Sequence, residues 1–199
     1  MNLSDLKELH YITPIANVPS IMKFGILSNR EVSRRRIQSV SVAAQEIQER
    51  RKPKIIPGGG PLHNYVNLYI CARNPMMYRL SSKHVELCVL QVSPAVLNLA
   101  GVVIADGNAA SGYTGFWPSP SGLAKIDKET VFAKYWTDPD PISQLYNTRV
   151  KCAEVLVPDR LDPRSIFGAY VSCQEAEQKL RQLAPGPTIT IDPHLFFRG

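Results

Sequence analysis

The sequence predicts an α+β fold with one sheet-based core, and two observations lead to this. Segments rich in β-branched and aliphatic residues, which favour strands, recur along the chain. These predicted strands cover residues 66–71, 85–92, 102–105, 152–157, 166–172 and 188–191. Helical patterns alternate with them, and no internal repeat or second apolar core divides the sequence. We therefore expect a single domain over residues 1–199.

Helix signals occupy the intervals between the predicted strands. They combine apolar stripes at helical spacing with capping residues such as Ser93 and Asp127, and with stops such as Gly25 and Pro53. The predicted helices cover residues 17–24, 39–51, 94–99, 127–136 and 174–183. The proline-rich stretch 138–141 is expected to end the fourth of these, with a connector after it.

Two glycine-containing segments are predicted to be irregular. The three consecutive glycines at 58–60 predict a turn, and no Lys-Ser or Lys-Thr pair follows them as a phosphate-binding P-loop would require. Residues 106–122 are rich in Gly, Ser, Asn and Pro and include Tyr113, Phe116 and Trp117. Long loops of this kind often carry function, so this segment is a candidate recognition loop.

The composition favours a globular protein with polyanionic partners. The formal charge is +6 and the sequence pI is near 9.2, and a basic surface gains affinity for phosphate backbones through counterion release. Neither a leader-like start nor an apolar run of about 18 residues is present, so we expect a cytoplasmic protein without a membrane partner. The four cysteines lack C-x-x-C spacing and are expected to be buried thiols.

Glu154 is the strongest candidate for a catalytic residue. It interrupts the apolar strand Cys-Ala-Glu-Val-Leu-Val, and a carboxylate buried in a strand requires a specific partner or function. The alternation of the strand places it on one face with Cys152 and Leu156. The alternative, a solvated face with Glu154 pointing outward, is equally compatible with the pattern.

Arg51 is the second candidate, at the end of the predicted helix 39–51. An arginine suits a diphosphate because its planar guanidinium bonds two oxygens at once, although cations at a helix end are commonly exposed. The four histidines have no neighbouring ligand residues at metal-binding spacing, so we expect no metal. Without a G-x-S-x-G motif or a cysteine in a catalytic setting, nucleophilic hydrolase chemistry is not supported.

A series of short motifs resembles one known family along nearly the whole chain. The most specific are Leu-His-x-Tyr-Val at 62–66 and Arg-x-Pro-Met-x-Tyr at 73–78. The others are Tyr-Ile-Thr-x-Ile-x-Asn at 11–17, Ile-Gln-Glu-Arg-Arg at 47–51, Asp-Gly-Asn-Ala at 106–109, Tyr-Trp at 135–136 and Lys-x-Ala-Glu-Val-Leu-Val at 151–157. In this order they resemble the DarT family of DNA ADP-ribosyltransferases, toxins of toxin–antitoxin systems.

The resemblance implies a split β-sheet core that binds NAD+ and transfers ADP-ribose to a base, thymidine, in single-stranded DNA. It implies Glu154 and Arg51 as the catalytic residues. The residues implied to line the NAD+ pocket are His10, Tyr11, Thr13, Asn17, Arg51 and Tyr69. One departure concerns the first motif, where Tyr11 stands at a position that is commonly histidine in the family. The family also implies a macrodomain antitoxin as partner.

The substrate side of the site is predicted from both the residues and the resemblance. A base is reached most easily in single-stranded DNA, and aromatic side chains offer surfaces on which bases stack. The predicted substrate-binding residues are Tyr113, Phe116, Trp117, His63 and Arg73. Two alternatives stay open: an ADP-ribosyltransferase acting on another base, RNA or protein, and a non-catalytic basic nucleic-acid-binding module.

Overall fold

The computed structural model describes residues 1–40, 49, 51–184 and 186–198, and these form an α+β fold, as predicted. The strands of the described residues are β1 Leu9–Pro14, β2 Ile26–Leu27, β3 Tyr65–Tyr69, β4 Leu87–Val92, β5 Val103–Ala105, β6 Phe116–Pro118, β7 Glu154–Pro158, β8 Arg160–Leu161, β9 Ile166–Val171 and β10 Thr188–Ile191. The α-helices are α1 Val18–Phe24, α2 Asn29–Arg35, α3 Pro75–Leu80, α4 Lys128–Phe132, α5 Pro141–Val150 and α6 Gln174–Leu183.

Short 3-10 helices connect many of these elements. They are Leu3–Asp5, Ile15–Asn17, Leu62–Asn64, Ser81–Glu86, Pro94–Asn98, Ser121–Lys125, Pro163–Ser165 and Pro193–Phe196. No helix within the described residues is long and apolar enough to cross a bilayer.

The described strands build one large sheet in the order β10-β9-β4-β1-β3-β7-β5-β6, and β2 pairs with β8 beside it. Neighbours in the large sheet are antiparallel, apart from β9 and β10. The contact between β1 and β3 differs from the others. Along these two fully described strands a single register pair, His10 with Tyr69, joins them, whereas β1 pairs with β4 at every position from Leu9 to Pro14. The sheet therefore consists of two halves that meet at one point.

The main apolar core lies on one face of this sheet and is covered by α1 and α6. It contains strand residues such as Leu68, Leu90 and Val155 together with Ile21 of α1 and Leu180 of α6. A second cluster on the opposite face contains Ile12, Tyr69 and Phe196. Period-two alternation along each strand separates the two sets, since successive side chains point to opposite faces.

Several predicted elements are present with small changes of length. The predicted helix 174–183 and strand 188–191 are present with the predicted bounds, and α1 ends before Gly25, whose φ of 86° suits glycine. The helix after Ser93 is a 3-10 helix, with the Ser93 hydroxyl accepting the amide of Ala95. The predicted helix 39–51 lies largely outside the described residues.

Other predictions were wrong, and tertiary packing explains them. The helix predicted to reach Trp136 ends at Phe132, and Trp136 packs edge-on against Tyr78 and Phe197. The predicted connector after residue 141 is the helix α5, which Asp140 caps by accepting the Ser143 amide at 2.8 Å. Residues 106–122 are not wholly irregular, because they contain the edge strand β6.

The cysteines and the first strand also differ from expectation. Cys88 and Cys152 are buried, whereas Cys71 and Cys173 are only partly buried. The strand β1 was not predicted, although its sequence, Leu-His-Tyr-Ile-Thr-Pro, is rich in β-branched and aromatic residues. It is the central strand of the sheet, next to the point where the two halves meet.

The packing of α6 gives a test of this core. Leu180→Ala is expected to lower the free energy of unfolding by about 2–5 kcal/mol, because it leaves a cavity among fully buried residues. Leu183, on the same helix, is 50% exposed, and its replacement by alanine should change stability by about 0.5 kcal/mol or less. Urea unfolding of both variants measures the difference, and equal effects would contradict this placement of α6.

Candidate active site

Glu154 and Arg51 form a buried ion pair at the first residue of β7. The Glu154 side chain is 1% exposed and that of Arg51 10%, and Arg51 Nη1 lies 3.3 Å from Glu154 Oε2. Arg51 Nη2 lies 3.4 Å from the same oxygen. The alternatives that Glu154 points to solvent and that Arg51 is an exposed helix-end cation are therefore both excluded by the geometry. Residues 103 positions apart in the sequence are brought into one site.

A backbone amide completes the surroundings of the Glu154 carboxylate. The Ala109 N–H donates to Oε1 over 3.3 Å, and Ala109 itself is fully buried. In the register of the sheet Glu154 lies opposite Tyr69 of β3 and Ala105 of β5. The carboxylate thus has a cation on one side and a neutral donor on the other, which fixes its orientation.

Burial dominates the ionisation behaviour of this site. It raises the pKa of Glu154 above its ordinary value, while Arg51 and the Ala109 amide oppose that rise. Burial also raises the pKa of Tyr69 well above its usual value, with Glu154 adding to the effect, and raises the pKa of Tyr11 to about 12. Both tyrosines are therefore neutral hydrogen-bond donors at physiological pH, and Glu154 is more basic than an exposed carboxylate.

A cleft of about 1210 Å³, including its open mouth, lies where β1 and β3 separate. The predicted pocket residues that line it are Tyr11, Thr13, Asn17, Arg51 and Tyr69. Five side chains chosen from sequence are thus brought together around one cavity.

Besides lining the cleft, Asn17 makes hydrogen bonds to neighbouring segments. Its side-chain amide donates to the Val40 carbonyl at 2.8 Å and accepts from the Val40 amide at 2.9 Å. It also lies 3.3 Å from the Thr13 hydroxyl. Asn17 therefore ties the chain at residue 40 to the start of α1, and it shapes the wall of the cleft.

His10 was predicted to line the pocket, and the structure places it elsewhere. His10 neighbours Tyr11 on β1 and so points to the opposite face of the strand, where its Nε2 lies 3.0 Å from Glu8 Oε1. The same carboxylate accepts hydrogen bonds from Tyr170 and Gln91. His10 thus belongs to a polar network with Glu8, Gln91 and Tyr170, and it is not among the residues that line the cleft.

The predicted substrate-binding residues do not form one group. His63 lines the cleft, whereas Arg73 lies 3.8 Å from the centre of the Phe197 ring and donates to the carbonyl of His194. The C-terminal turn therefore folds over Arg73 and occupies its guanidinium. Tyr113 is 90% exposed, and Trp117 lies on β6 beneath the Lys125 ammonium.

Phe116 is also on the edge strand β6, opposite Ala105 in the register. It packs against a small apolar cluster that contains Ala109 and Leu156. None of the three aromatics lines the cleft itself. They lie instead along the segment that follows Asp106, next to the Ala109 amide that holds Glu154.

Sequence reasoning missed several residues of the cleft. Tyr65 and Asn67 line it together with Tyr69, since all three share one face of β3. The alternation Tyr-Val-Asn-Leu-Tyr carried this signal, because a strand with polar or aromatic residues at every second position has one wet face. The role of the Ala109 amide could not be predicted from the sequence, because a backbone N–H donates whatever the side chain of its residue.

No group of three or more potential metal ligands lies together within the described part of the chain. Polar groups near Glu154 include the Arg51 guanidinium, the Tyr69 phenol and the Ala109 amide. Such a set binds anionic and hydroxyl-bearing ligands by hydrogen bonds.

Comparison with known proteins decides the family. A family model described as "ssDNA thymidine ADP-ribosyltransferase, DarT" matches residues 10–197. The chain belongs to the DarT family. This agrees with the resemblance found in the motifs, and the DarT match covers both Arg51 and Glu154.

Two curated DarT relatives are similar over most of the chain. A DNA ADP-ribosyl transferase–DNA ADP-ribosyl glycohydrolase fusion protein of Thermosipho africanus (strain H17ap60334) is 36% identical over 199 residues, 96% of this chain. The match covers 50% of that relative, so the chain spans about half its length. A DNA ADP-ribosyl transferase of Thermus sp. (strain 2.9) is 31% identical over 147 residues, 68% of this chain and 69% of the relative.

Solved DarT structures have the same fold. The Thermosipho africanus DarTG structure in complex with ADP-ribose has a TM-score of 0.84 at 32% identity and covers 97% of this chain and 52% of that one. Thermus sp. 2.9 DarT in complex with ADP-ribosylated ssDNA has a TM-score of 0.82 at 27% identity and covers 98% and 99%. Thermus sp. 2.9 DarT in complex with NAD+ has a TM-score of 0.75 at 25% identity and covers 95% and 96%.

The polar network around Glu8 gives a pH-dependent test of the position of His10. Burial raises the pKa of Glu8, but hydrogen bonds from His10, Gln91 and Tyr170 outweigh it and hold this pKa at about 2. Because that value lies below the ordinary 4.5, the ionised carboxylate stabilises the fold above about pH 4.5, and this contribution is lost as the pH falls through about 2.

Glu8→Gln is therefore expected to lower the free energy of unfolding at pH 7 by about 1 kcal/mol, through weaker hydrogen bonds. The curves of wild type and variant should converge as the pH falls towards 2, when measured by chemical denaturation at a series of pH values. Glu175→Gln, which removes an exposed partner of Lys179, is the control. A difference that does not change with pH would contradict the network.

Proposed function

We propose that this chain transfers ADP-ribose from NAD+ to thymidine in single-stranded DNA, with residues 1–199 acting as one catalytic domain. The observation that carries the proposal is the buried Glu154 carboxylate, held by Arg51 and the Ala109 amide beside an open cleft lined by Tyr11, Thr13, Asn17 and Tyr69. The relatives support it, because Thermus sp. 2.9 DarT has been solved with NAD+, with carba-NAD+ and with ADP-ribosylated ssDNA.

The reaction breaks the bond between nicotinamide and the ribose carbon and forms a bond from that carbon to a thymine ring nitrogen. Nicotinamide leaves with the bonding electron pair, and positive charge develops on the ribose. The Glu154 carboxylate stabilises that charge electrostatically at a site from which water is largely excluded. The nitrogen gives up its proton as it attacks, and Glu154, whose pKa burial raises, is the group suited to accept it.

Arg51 has two roles in this scheme. Both terminal nitrogens of its guanidinium lie within 3.4 Å of the Glu154 carboxylate, so Arg51 keeps that group ionised and oriented before the reaction. It also lines the cleft, where a guanidinium suits the diphosphate of NAD+. Thr13, Asn17 and the neutral hydroxyls of Tyr11 and Tyr69 supply hydrogen bonds for the ribose and amide groups.

Single-stranded DNA fits the site better than duplex, because the thymine nitrogen that reacts is hidden by base pairing. The net charge of +6 supplies affinity for the phosphate backbone. We assign Tyr113, Trp117 and His63 to the substrate side, since Tyr113 and Trp117 are exposed and His63 lines the cleft. Phe116 supports them from the edge of the apolar cluster, and Arg73 supports the fold.

A toxin function follows from this reaction, and we place it in the cytoplasm, where NAD+ and single-stranded DNA are both present. Modified thymidine cannot pair with adenine during replication. The Thermosipho relative joins a DNA ADP-ribosyl transferase to a DNA ADP-ribosyl glycohydrolase in one protein. We therefore infer a partner of the macrodomain type that removes ADP-ribose from DNA and acts as antitoxin.

The substrate class is tested with labelled NAD+ and four matched polymers. Purified protein should label thymidine-containing single-stranded DNA, and label the corresponding duplex, an RNA of the same sequence and bulk protein far less. Labelling should fall steeply with salt concentration, since the backbone contribution is electrostatic. Equal labelling of duplex and single strands, or a preference for RNA or protein, would overturn the substrate assignment.

Glu154→Gln is the control that separates a transferase from a non-catalytic nucleic-acid-binding module. It should reduce labelling by about 10²–10⁴-fold, the range for a lost acid–base group, and leave NAD+ binding measurable by calorimetry. Glu177→Gln, on α6 and paired with Arg181, should keep full activity. A protein that binds DNA but labels no polymer would favour the binding module.

Tyr113 offers a separate test of the substrate segment. Its 90% exposure means that Tyr113→Ala should not alter the thermal melting temperature. Loss of one stacking surface, worth about 1–3 kcal/mol, should weaken transfer to single-stranded DNA by about tenfold or more while slow hydrolysis of NAD+ continues. Phe167→Ala, on β9 and also exposed, is the matched control. Equal loss of both activities would place the effect of Tyr113 in the NAD+ site instead.

A further inference from the structure

An ion pair outside the cleft holds the segment that supplies the Ala109 amide. Arg149, in the last turn of α5, donates from Nη1 to Asp106 Oδ1 over 2.6 Å. The two side chains are 15% and 22% exposed, so solvent screens the pair only partly. Asp106 directly follows β5 and begins the segment 106–115 that leads to β6.

Two further contacts connect Arg149 and Asp106 to the backbone of this segment, and a third lies within it. The Arg149 carbonyl accepts the Asn108 amide at 3.0 Å, next in sequence to Ala109. Asp106 Oδ1 also accepts the Gly115 amide at 3.0 Å, and this bond joins the first and last residues of the segment. The Asn108 carbonyl in turn accepts the Thr114 hydroxyl at 2.7 Å. The segment is thus closed into a compact loop around the pair.

Gly107 shows how closely Arg149 packs against this loop. A Cβ at residue 107 would lie 2.6 Å from Arg149 Nη1, 2.7 Å from its Cγ and 3.0 Å from its backbone oxygen. Atoms of both the side chain and the backbone of Arg149 therefore occupy the space that any other residue would need. Residues 106–109 are placed by direct contact with the end of α5.

We propose that Arg149 is a positioning residue for the reaction, which fixes residues 106–109 so that the Ala109 amide holds the Glu154 carboxylate. Arg149 does not line the cleft and does not touch Glu154. It acts through Asp106 and Asn108 on the Ala109 amide, which donates to the carboxylate. The same segment carries Tyr113. The inference rests on the proposed function for its catalytic consequence.

The catalytic consequence is a loss of turnover without a loss of NAD+ affinity. Arg149→Gln should lower kcat for DNA transfer by about 100-fold, as expected when a reacting group is misplaced by about 1 Å, and change KM for NAD+ by less than about threefold. Arg149→Lys keeps a cation within reach of Asp106 and should restore a part of kcat. Arg181→Gln, which removes an ion pair on α6, is the control and should match wild type.

The pH profile provides a readout that a merely structural role would not move. Among the described residues, the charged and titratable groups facing Glu154 are Arg51, Tyr69 and Cys152, and none of these changes in Arg149→Gln. The Ala109 hydrogen bond lowers the pKa of Glu154. Loss of this bond should therefore raise that pKa and shift the acid limb of the kcat profile to higher pH. An unmoved acid limb with an unchanged kcat would overturn the proposal.

Hydrogen–deuterium exchange tests the geometry independently of any activity. In Arg149→Gln the amides of residues 106–115 should exchange about tenfold faster or more, while those of β7 keep their protection. If wild type transfers nothing to DNA, the proposed function fails, and the exchange of Ala109 still tests the role of Arg149. Unchanged exchange in this segment would refute that role.

A second variant covers the case in which Arg149→Gln does not fold. Asp106→Asn is isosteric and retains an acceptor for Gly115, but removes the charge that faces Arg149. It should lower kcat, shift the acid limb of the kcat profile to higher pH and speed the exchange of residues 106–115. Each change should be smaller than in Arg149→Gln. If Asp106→Asn folds and matches wild type in all three, the proposal is wrong.

Discussion

A carboxylate in the interior of a sheet loses most of its hydration, and the other groups of this site offset the free energy lost. Glu154 is 1% exposed, and within the described part of the chain it has two hydrogen-bonding partners, the Arg51 guanidinium and the Ala109 amide. Each comes from a distant part of the chain, so the ion pair forms only when both flanking segments have folded onto β7. Breaking a buried pair by removing one partner leaves an uncompensated charge, which costs far more than an exposed pair contributes.

The sequence could predict the regular elements and the chemistry, but not the connections that bring them together. Glu154 was found because a charge interrupts an apolar strand, and α6 because its apolar residues recur at helical spacing. The register that places Tyr69 beside Glu154 depends on pairing between strands far apart in sequence, for which residue type is no guide. The motif resemblance supplied Arg51 and the nature of the ligand, which periodicity alone left open.

Two predicted site residues that do not line the cleft, and one helix that was not predicted, have specific physical explanations. His10 and Tyr11 are adjacent, and without a known strand β1 their opposite directions could not be assigned. Arginine is a residue type suited to binding ligands, but the C-terminal turn provides Phe197 and the His194 carbonyl as the partners of Arg73. The helix α5 was missed because prolines at its start suggested a break, although proline in the first turn is compatible with a helix.

The junction between β1 and β3 has a mechanical consequence. Each half of the sheet is stiffened by continuous ladders, whereas within these two described strands one register pair bridges the halves. The spacing of the halves is then governed less by interstrand bonds than by the volume of the side chains packed behind them, among them Leu9, Leu68 and Leu90. Substitutions that enlarge or shrink these side chains would change the spacing of the two halves of the sheet. They would widen or narrow the cleft without altering any of the side chains that line it.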